Sequence, residues 1–136
     1  MSEHPVLSLV APCYNEAAGL ASFWARASDA LAALGIAAEA VFVDDGSRDA
    51  TLAVLAALAA RDPRVRVVAL SRNFGKEIAL AAGLDHARGD AVVPIDADLQ
   101  HPPELVRDLV AKWREGNDVV IALRRDRATD SAPRRF

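Results

Sequence analysis

The alternation of short apolar runs with longer amphipathic stretches is the feature that most restricts the fold of this chain. Five runs of five or six mainly apolar residues are predicted to be strands, and the stretches between them have the apolar spacing of helices. Strand followed by helix, repeated along the chain, requires right-handed crossovers and therefore a mainly parallel sheet. Because the strands are continuously apolar, helices are predicted to cover both faces of the sheet. The predicted strands are 6–11, 39–43, 65–70, 91–95 and 118–123, and the predicted helices are 16–34, 49–60, 75–87 and about 102–115.

Helix boundaries are predicted from residues that favour helix ends. Gly35 and Gly116 stand where helices are expected to end, and Asp49 is a predicted N-cap. Pro102 and Pro103 suit the first turn of the fourth helix. The residues predicted to face the core are Leu20, Phe23, Trp24, Ala27, Leu31 and Leu34 in the first helix, and Leu52, Leu55 and Leu58 in the second.

The predicted domain organisation is an N-terminal tail over 1–5, one domain over 6–123 and a basic, flexible tail over 124–136. The length of 136 residues and the 52% hydrophobic content fit one packed domain. A net charge of -3 provides no global basic field for binding nucleic acid. The last segment has five arginines and two aspartates, a local charge of +3, so the rest of the chain carries -6. Such a segment meets an anionic ligand or lipid surface, or it is a solvated terminus.

Cysteine usage and hydropathy bear on the compartment. Cys13 is the only cysteine, so no internal disulfide forms, and a reducing compartment is consistent with that. The first residues lack the basic region and long apolar region of a signal peptide. No uncharged apolar stretch reaches the length of about 18 residues that indicates a membrane span. The chain is therefore expected on the cytoplasmic side, without a transmembrane segment of its own.

Polar residues follow every predicted strand. In open α/β sheets, ligands bind beyond the carboxyl ends of the strands, so these residues are predicted to form a site. The opposite strand ends carry ordinary turn residues, namely Gly35, Pro63 and Gly89. The polar segments are 12–16, 44–47, 71–76, 96–100 and 124–125.

Asp96-Ala97-Asp98 is the sharpest of these segments. Two carboxylates one residue apart, in a bend that leaves a strand, can both reach one Mg²⁺ or Mn²⁺ ion together with substrate phosphate oxygens. Ala97 keeps the turn small, and Gln100 can add a neutral contact. The alternative interpretation is a pair of solvated loop carboxylates or helix caps.

Two other strand ends are predicted to hold a nucleoside. Asp44 and Asp45 can accept hydrogen bonds from a ribose hydroxyl or a base N–H, and Gly46 permits a positive φ in the turn. In the segment 14–16, Tyr14 offers a ring to lie against a base, and Asn15 and Glu16 offer polar groups to recognise it. The alternatives are a helix-capping turn for the aspartates and simple packing for the tyrosine.

Cations are expected beside the phosphate groups of the same ligand. Arg72 and Lys76 follow the third strand, close to the predicted phosphate position, or are solvated charges. Arg124 and Arg125 can clamp a phosphate in bidentate fashion, or they belong to an exposed basic run.

Four motifs in order, at 10–16, 42–47, 70–76 and 96–104, resemble glycosyltransferase family 2. Within it, the chain looks similar to polyprenyl-phosphate (dolichyl-phosphate-type) sugar transferases, over about residues 6–127. The resemblance implies a Rossmann-like nucleotide-diphospho-sugar transferase fold of the GT-A type, a UDP- or GDP-hexose donor, and inversion at the anomeric carbon. It implies a polyprenyl phosphate acceptor at the membrane surface and a role in cell-envelope glycan synthesis.

The resemblance also implies roles for particular residues. Asp98 and Arg124 would act in catalysis, and Arg124 would meet the diphosphate or the acceptor phosphate. Asp96, Asp98 and Gln100 would hold the metal. The positions expected to bind the nucleotide sugar are Pro12, Tyr14, Asn15, Glu16, Asp44, Asp45, Gly46, Lys76, Asp96 and Ala97.

Family members look about twice as long and usually have two membrane helices, so this chain is expected to carry mainly the donor half. A non-catalytic nucleotide-sugar-binding module, or a truncated pseudoenzyme, is the alternative function. A phospho-accepting receiver domain is disfavoured. It would need a lone aspartate after the third strand and a lysine after the fifth, where this chain has 71–73 and 124–125.

Overall fold

The structure is a computed structural model that describes residues 5–98, 102–116, 120–121 and 134–135. Strands and helices alternate along it as predicted. The strands are β1 (Leu7–Cys13), β2 (Ala38–Asp44), β3 (Val65–Ala69), β4 (Ala91–Pro94), β5 (Val120–Ile121) and β6 (Arg134–Arg135). The helices are α1 (Leu20–Leu34), α2 (Thr51–Arg61), α3 (Lys76–His86) and α4 (Leu105–Arg114).

The main sheet has four strands in the order β3-β2-β1-β4, and every neighbouring pair is parallel. The predicted parallel α/β fold is therefore confirmed. Both central strands, β1 and β2, are buried over almost their whole length. Their carboxyl ends meet at one edge of the sheet, because Cys13 of β1 lies opposite Asp44 of β2.

Helices cover both faces of this sheet, as predicted. On one face, the larger core joins the strands to α1, α2 and α4, and the rings of Phe23 and Trp24 meet Phe42 edge-on, with centroids 6.1 Å and 5.9 Å away. On the other face, α3 packs Ala79 against valines of β1 and β2. The first face therefore holds most of the aromatic core, and the second depends on close contact with a single helix.

Gly83 permits that close contact. A Cβ atom at this position would lie 3.0 Å from Val43 Cγ2 and closer still to Val10 Cγ1. Gly83→Val is expected to lower the free energy of unfolding by about 2 kcal/mol, because overpacking a tight interface typically costs about 1–3 kcal/mol. Ala81→Val, at an exposed position of the same helix, is the control for the helix propensity of valine. Chemical denaturation should separate the two variants, and equal midpoints would contradict the close packing.

The second helix buries a different face from the one predicted. Leu52 was predicted to face the core, and it is 42% exposed, so that prediction is wrong. Thr51 is buried in its place, and with Leu55 and Leu58 it forms the inward stripe. The hydroxyl of Thr51 accepts a hydrogen bond from the backbone N–H of Glu16 at 2.8 Å. A long-range polar contact therefore sets the rotation of the helix, and periodicity alone does not reveal it.

The first helix begins later than predicted, at Leu20 instead of residue 16. Backbone N–H groups of the preceding turn are bound by the loop before α2. Asn15 donates to Ser47 Oγ at 2.9 Å, and Ala17 donates to Asp49 Oδ2 at 3.3 Å. These contacts hold the segment as a turn. The prediction of Asp49 as the N-cap of α2 is wrong by one residue, because Ala50 takes that position. The carboxylate of Asp49 accepts hydrogen bonds from the backbone N–H and the hydroxyl of Thr51.

The predicted fifth strand is present as β5 but does not join the parallel sheet. It pairs antiparallel with β6 in a separate two-stranded sheet. The pairing places Arg134–Arg135 in a strand where a flexible tail was expected. The remainder of 124–136 lies outside the described residues. Among the described helices, none is long and apolar enough to cross a bilayer.

A buried ionic cluster closes the sheet at the edge opposite the predicted site. Glu39 on β2 is 2% exposed and accepts hydrogen bonds from Ser8 Oγ at 2.5 Å and Arg66 Nη1 at 3.0 Å. It also accepts from the backbone N–H of Arg88 at 2.7 Å and from Arg88 Nε at 3.1 Å. Gly89 N–H donates to Ser8 Oγ at 2.8 Å. The cluster thus joins three strands to the turn that follows α3.

Candidate functional site

A cleft opens at the carboxyl edge of the parallel sheet. It is an open cleft of about 450 Å³ when the solvent space at its mouth is counted. Residues from the ends of β1, β2 and β4 and from the start of α3 meet there, as expected for strand ends that share one edge. The lining residues are Pro12, Cys13, Tyr14, Glu16, Asp45, Lys76, Asp96, Ala97 and Asp98.

The turn after β1 presents Tyr14 and Glu16 to the cleft. Tyr14 is 42% exposed, so its ring is available to a ligand. Asn15 has φ 54, a left-handed conformation that asparagine tolerates better than most residues. Its Oδ1 accepts hydrogen bonds from the backbone N–H of Arg48 at 2.8 Å and of Asp49 at 3.4 Å. Asn15 is absent from the lining of the cleft, and its side chain holds the turn against the loop before α2.

The two aspartates after β2 have different surroundings. Asp44 is 3% exposed and stays out of the cleft, where its Oδ1 accepts a hydrogen bond from Ser47 N–H at 3.3 Å. Asp45 is equally buried and lines the cleft. Its carboxylate accepts hydrogen bonds from the backbone N–H of Phe74 at 2.8 Å and of Gly75 at 3.1 Å. Asp45 therefore anchors the segment that leads into α3.

Gly46 allows that segment to approach. Its φ of 65 is left-handed, and a Cβ atom there would lie 2.8 Å from Arg72 Cα and closer still to the peptide between Arg72 and Asn73. Asn73 Nδ2 donates to the backbone carbonyl of Asp45 at 3.1 Å. Together, Asp45 and Gly46 bring the loops after β2 and β3 into backbone contact.

The acidic segment after β4 faces Lys76. Lys76 Nζ lies 2.6 Å from Asp96 Oδ1. Asp98 is exposed at the cleft, and Ala97 between them is buried, which keeps the turn compact. Gln100 and Arg124, the other residues predicted to hold the metal and the phosphate, lie outside the described residues.

Negative charge is concentrated in this cleft. Burial raises the pKa of Glu16, and the carboxylates of Asp98, Asp96 and Asp49 raise it further. Oxygen ligands of this kind suit a hard divalent cation. Within the described residues, no three His, Cys, Asp or Glu side chains form a complete metal site.

Cys13 also lines the cleft, a position that was not predicted from the sequence. Burial raises the pKa of its thiol far above the usual value, and the charges of Glu16 and Asp44 raise it further. The thiol donates weakly to the carbonyl of Ala11 at 3.4 Å. A neutral thiol is a poor nucleophile, so Cys13 shapes the wall of the cleft. Its place between Pro12 and Tyr14 at a strand end was the signal available in the sequence.

A parallel α/β sheet with an acidic cleft at its carboxyl edge defines a Rossmann-like nucleotide-binding class of protein. Residues 8–135 match the family model described as Glycosyl transferase family 2. This chain therefore belongs to glycosyl transferase family 2, and the predicted family is confirmed. The receiver-domain alternative is excluded by the same finding.

Curated relatives agree with this family. An uncharacterized glycosyltransferase of Synechocystis sp. is 51% identical over 96% of this chain and 41% of its own length. A prophage bactoprenol glucosyl transferase homolog of Escherichia coli strain K12 is 46% identical over 95% of this chain and 42% of its own length. The chain thus spans about two fifths of the relatives it matches. The predicted similarity to polyprenyl-phosphate sugar transferases is confirmed.

A solved structure agrees with the fold. A mannosyltransferase of Pyrobaculum calidifontis, in complex with GDP-Man and Mn²⁺, superposes with a TM-score of 0.59 at 28% identity. The match covers 71% of this chain and 28% of that protein. The predicted GT-A type of fold is confirmed.

Proposed function

We propose that the complete protein transfers a hexose from a UDP- or GDP-sugar to a polyprenyl phosphate, with inversion at the anomeric carbon and with a divalent cation. This chain would form the donor-binding half. The observation that carries the proposal is the open cleft at the carboxyl edge, which Asp96, Asp98, Glu16 and Lys76 line together. The relatives include bactoprenol glucosyl transferases, and their names support the acceptor class.

Recognition of the nucleoside is assigned to the wall formed by β1 and β2. The exposed ring of Tyr14 offers a surface for the base. Pro12 shapes the floor, and Glu16 and Asp45 offer carboxylates to N–H or hydroxyl groups. Asp44, Asn15 and Gly46 are assigned to holding this wall, because Asp44 binds Ser47 within its own turn and the other two contact neighbouring loops.

The diphosphate is assigned to the wall of the cleft that follows β4. Asp96 and Asp98, with Gln100, would hold Mg²⁺ or Mn²⁺, and such an ion supplies charge neutralisation to the departing nucleoside diphosphate. The close carboxylates raise the pKa of Glu16, and relief of that repulsion favours cation binding. The complex of the Pyrobaculum calidifontis mannosyltransferase with Mn²⁺ supports this assignment. Arg124 is assigned to the diphosphate or the acceptor phosphate.

The acceptor chemistry requires little of this chain. A phosphate monoester has a second pKa of about 6, so a lipid phosphate is largely ionised at neutral pH. No strong general base is then needed to activate it. The attacking phosphate oxygen forms a bond to the anomeric carbon as the bond to the nucleoside diphosphate breaks. The chain's own residues hold and orient the donor for that displacement.

Donor binding tests the proposal directly. Titration calorimetry with UDP-glucose and GDP-mannose is expected to show binding of one of them that depends on Mn²⁺. Asp98→Asn is expected to weaken that binding at least tenfold, about 1.4 kcal/mol, because the cation loses a carboxylate. Asp108→Asn, the same change on an exposed residue of α4, is the control and should leave binding unchanged.

The same titration can contradict the assignment. Tight donor binding without Mn²⁺, or undiminished binding by Asp98→Asn, would exclude the metal role. Metal-dependent binding with no transfer by the complete protein, supplied with a polyprenyl phosphate, would favour a non-catalytic nucleotide-sugar-binding module.

A further inference from the structure

The segment between β3 and α3 is held firmly at its backbone. Asp45, 3% exposed, accepts hydrogen bonds from the N–H groups of Phe74 and Gly75. Gly46 lies in direct contact with the peptide that joins Arg72 to Asn73. The backbone at the start of α3 is therefore held in place at the cleft.

Lys76 is that first residue, and its head group is free to move while its backbone is held. Its side chain is 65% exposed, whereas Asp96, its ion-pair partner at 2.6 Å, is only 24% exposed. An ion pair with one mobile, hydrated partner is weak and easily exchanged. The ammonium can therefore leave Asp96 without disturbing the loop that carries it.

Lys76 also differs in charge from the other ionisable residues that line the cleft. Among the described lining residues, four are acidic and Lys76 is the single cation. It lies against Asp96, whose negative charge contributes to the raised pKa of Glu16. Lys76 therefore neutralises the carboxylate that the proposed function assigns to the divalent cation.

We propose that Lys76 competes with the divalent cation for Asp96 and exchanges onto the donor's diphosphate when the cation and the donor bind together. This inference rests on the proposed function. The four-carbon stem and compact charge of lysine suit it to such an exchange between two anionic partners. Before donor binding, Lys76 compensates Asp96. After donor binding, it adds positive charge next to the phosphates.

The exchange couples binding of the cation to binding of the donor. Without donor, Lys76 lowers the affinity of the cleft for the cation. With donor present, Lys76 has a second anionic partner, so the same residue raises the affinity for the metal–donor pair. Lys76 thus couples the two ligands, and removing its charge should weaken that coupling.

The test is metal binding to the wild-type chain and to Lys76→Gln, measured by electron paramagnetic resonance of free Mn²⁺. Without nucleotide, Lys76→Gln is expected to bind Mn²⁺ at least threefold more tightly. With Mn²⁺ saturating, the same variant is expected to bind UDP-glucose or GDP-mannose at least threefold more weakly. Lys76→Arg, which retains the charge, should stay near the wild type in the first measurement.

Lys112→Gln is the matched control, since it makes the same charge change on α4, outside the cleft. It should leave both affinities unchanged, and circular dichroism should show that all variants fold. Unchanged or weaker Mn²⁺ binding by Lys76→Gln would overturn the inference, as would absence of Mn²⁺ binding to both proteins. Failure of both donors to bind would contradict the proposed function, whereas the nucleotide-free comparison needs no donor.

Discussion

Glu39→Gln is expected to lower the free energy of unfolding by about 3 kcal/mol at pH 7, because the buried carboxylate loses charged hydrogen bonds that contribute about 1.5–3 kcal/mol each. Glutamine keeps the shape of the side chain but loses the charge that Arg66 and Arg88 pair with. It also places an amide donor where Ser8 Oγ and the backbone N–H of Arg88 donate. Urea denaturation measures the difference. Glu115→Gln, at the exposed C-cap of α4 with a 3.9 Å ion pair, is the control and should change stability by less than about 1 kcal/mol.

The pH dependence gives the same prediction a second readout. Burial alone would raise the pKa of Glu39, but hydrogen bonds from Ser8, Arg88 and Arg66 outweigh it and hold the pKa below the ordinary 4.5. A depressed pKa in the folded state stabilises the protein above the unfolded-state value, and the stability is lost as pH falls through the folded-state value. The gap between wild type and Glu39→Gln should therefore be full at pH 7 and shrink below about pH 4.5. A gap that stays constant down to pH 3 would contradict the ionised cluster.

Gly46→Ala is expected to cost about 3 kcal/mol of stability and to abolish measurable donor binding. The left-handed φ of 65 is unfavourable for alanine by about 1–2 kcal/mol. The new methyl group would also meet the backbone of Arg72 and Asn73, and relief of that overlap must move the segment that carries Lys76. Thermal denaturation and the donor titration measure the two effects.

Gly35→Ala is the matched control for this substitution. Gly35 has nearly the same φ, 67, but a Cβ atom there would meet nothing within 4 Å. It should therefore show only the conformational cost of about 1 kcal/mol and retain donor binding. If both glycine variants lose the same free energy of unfolding, the contact between the loops after β2 and β3 does not contribute to stability.

The course of the main chain follows closely from sequence pattern. The first four strands and all four helices were predicted. Continuous apolar runs indicate buried strands, and apolar residues spaced three or four apart indicate helices with one buried face. Gly35 ends α1 in the left-handed conformation, as its position indicated. The predictions for Leu52 and for the pairing of β5 were wrong, because contacts with residues distant in sequence determine both. Thr51 takes the inward position through Glu16, and β5 pairs with β6 instead of the parallel sheet.

The position of the cleft was also predictable from the sequence, whereas the contacts of its individual residues were not. Strand-end position brought Asp45, Asp96 and Tyr14 to one cleft. Sequence alone assigned similar roles to Asp44 and Asp45, and to Asn15 and Glu16. In the structure, Asp45 and Glu16 line the cleft, whereas Asp44 accepts a hydrogen bond within its own turn and Asn15 accepts hydrogen bonds from the loop before α2.

The sequence by itself determined the parallel α/β fold, the carboxyl-edge location of the site and the family. These follow from periodicity, strand-end chemistry and motif order, all of which are local along the chain. Only the tertiary structure decided that Glu39 is the centre of a buried cluster and that Lys76 reaches Asp96. The physical reason is that both depend on the approach of elements 20 to 49 residues apart, and the strength of an ionic contact is set by the burial and distance that this approach creates.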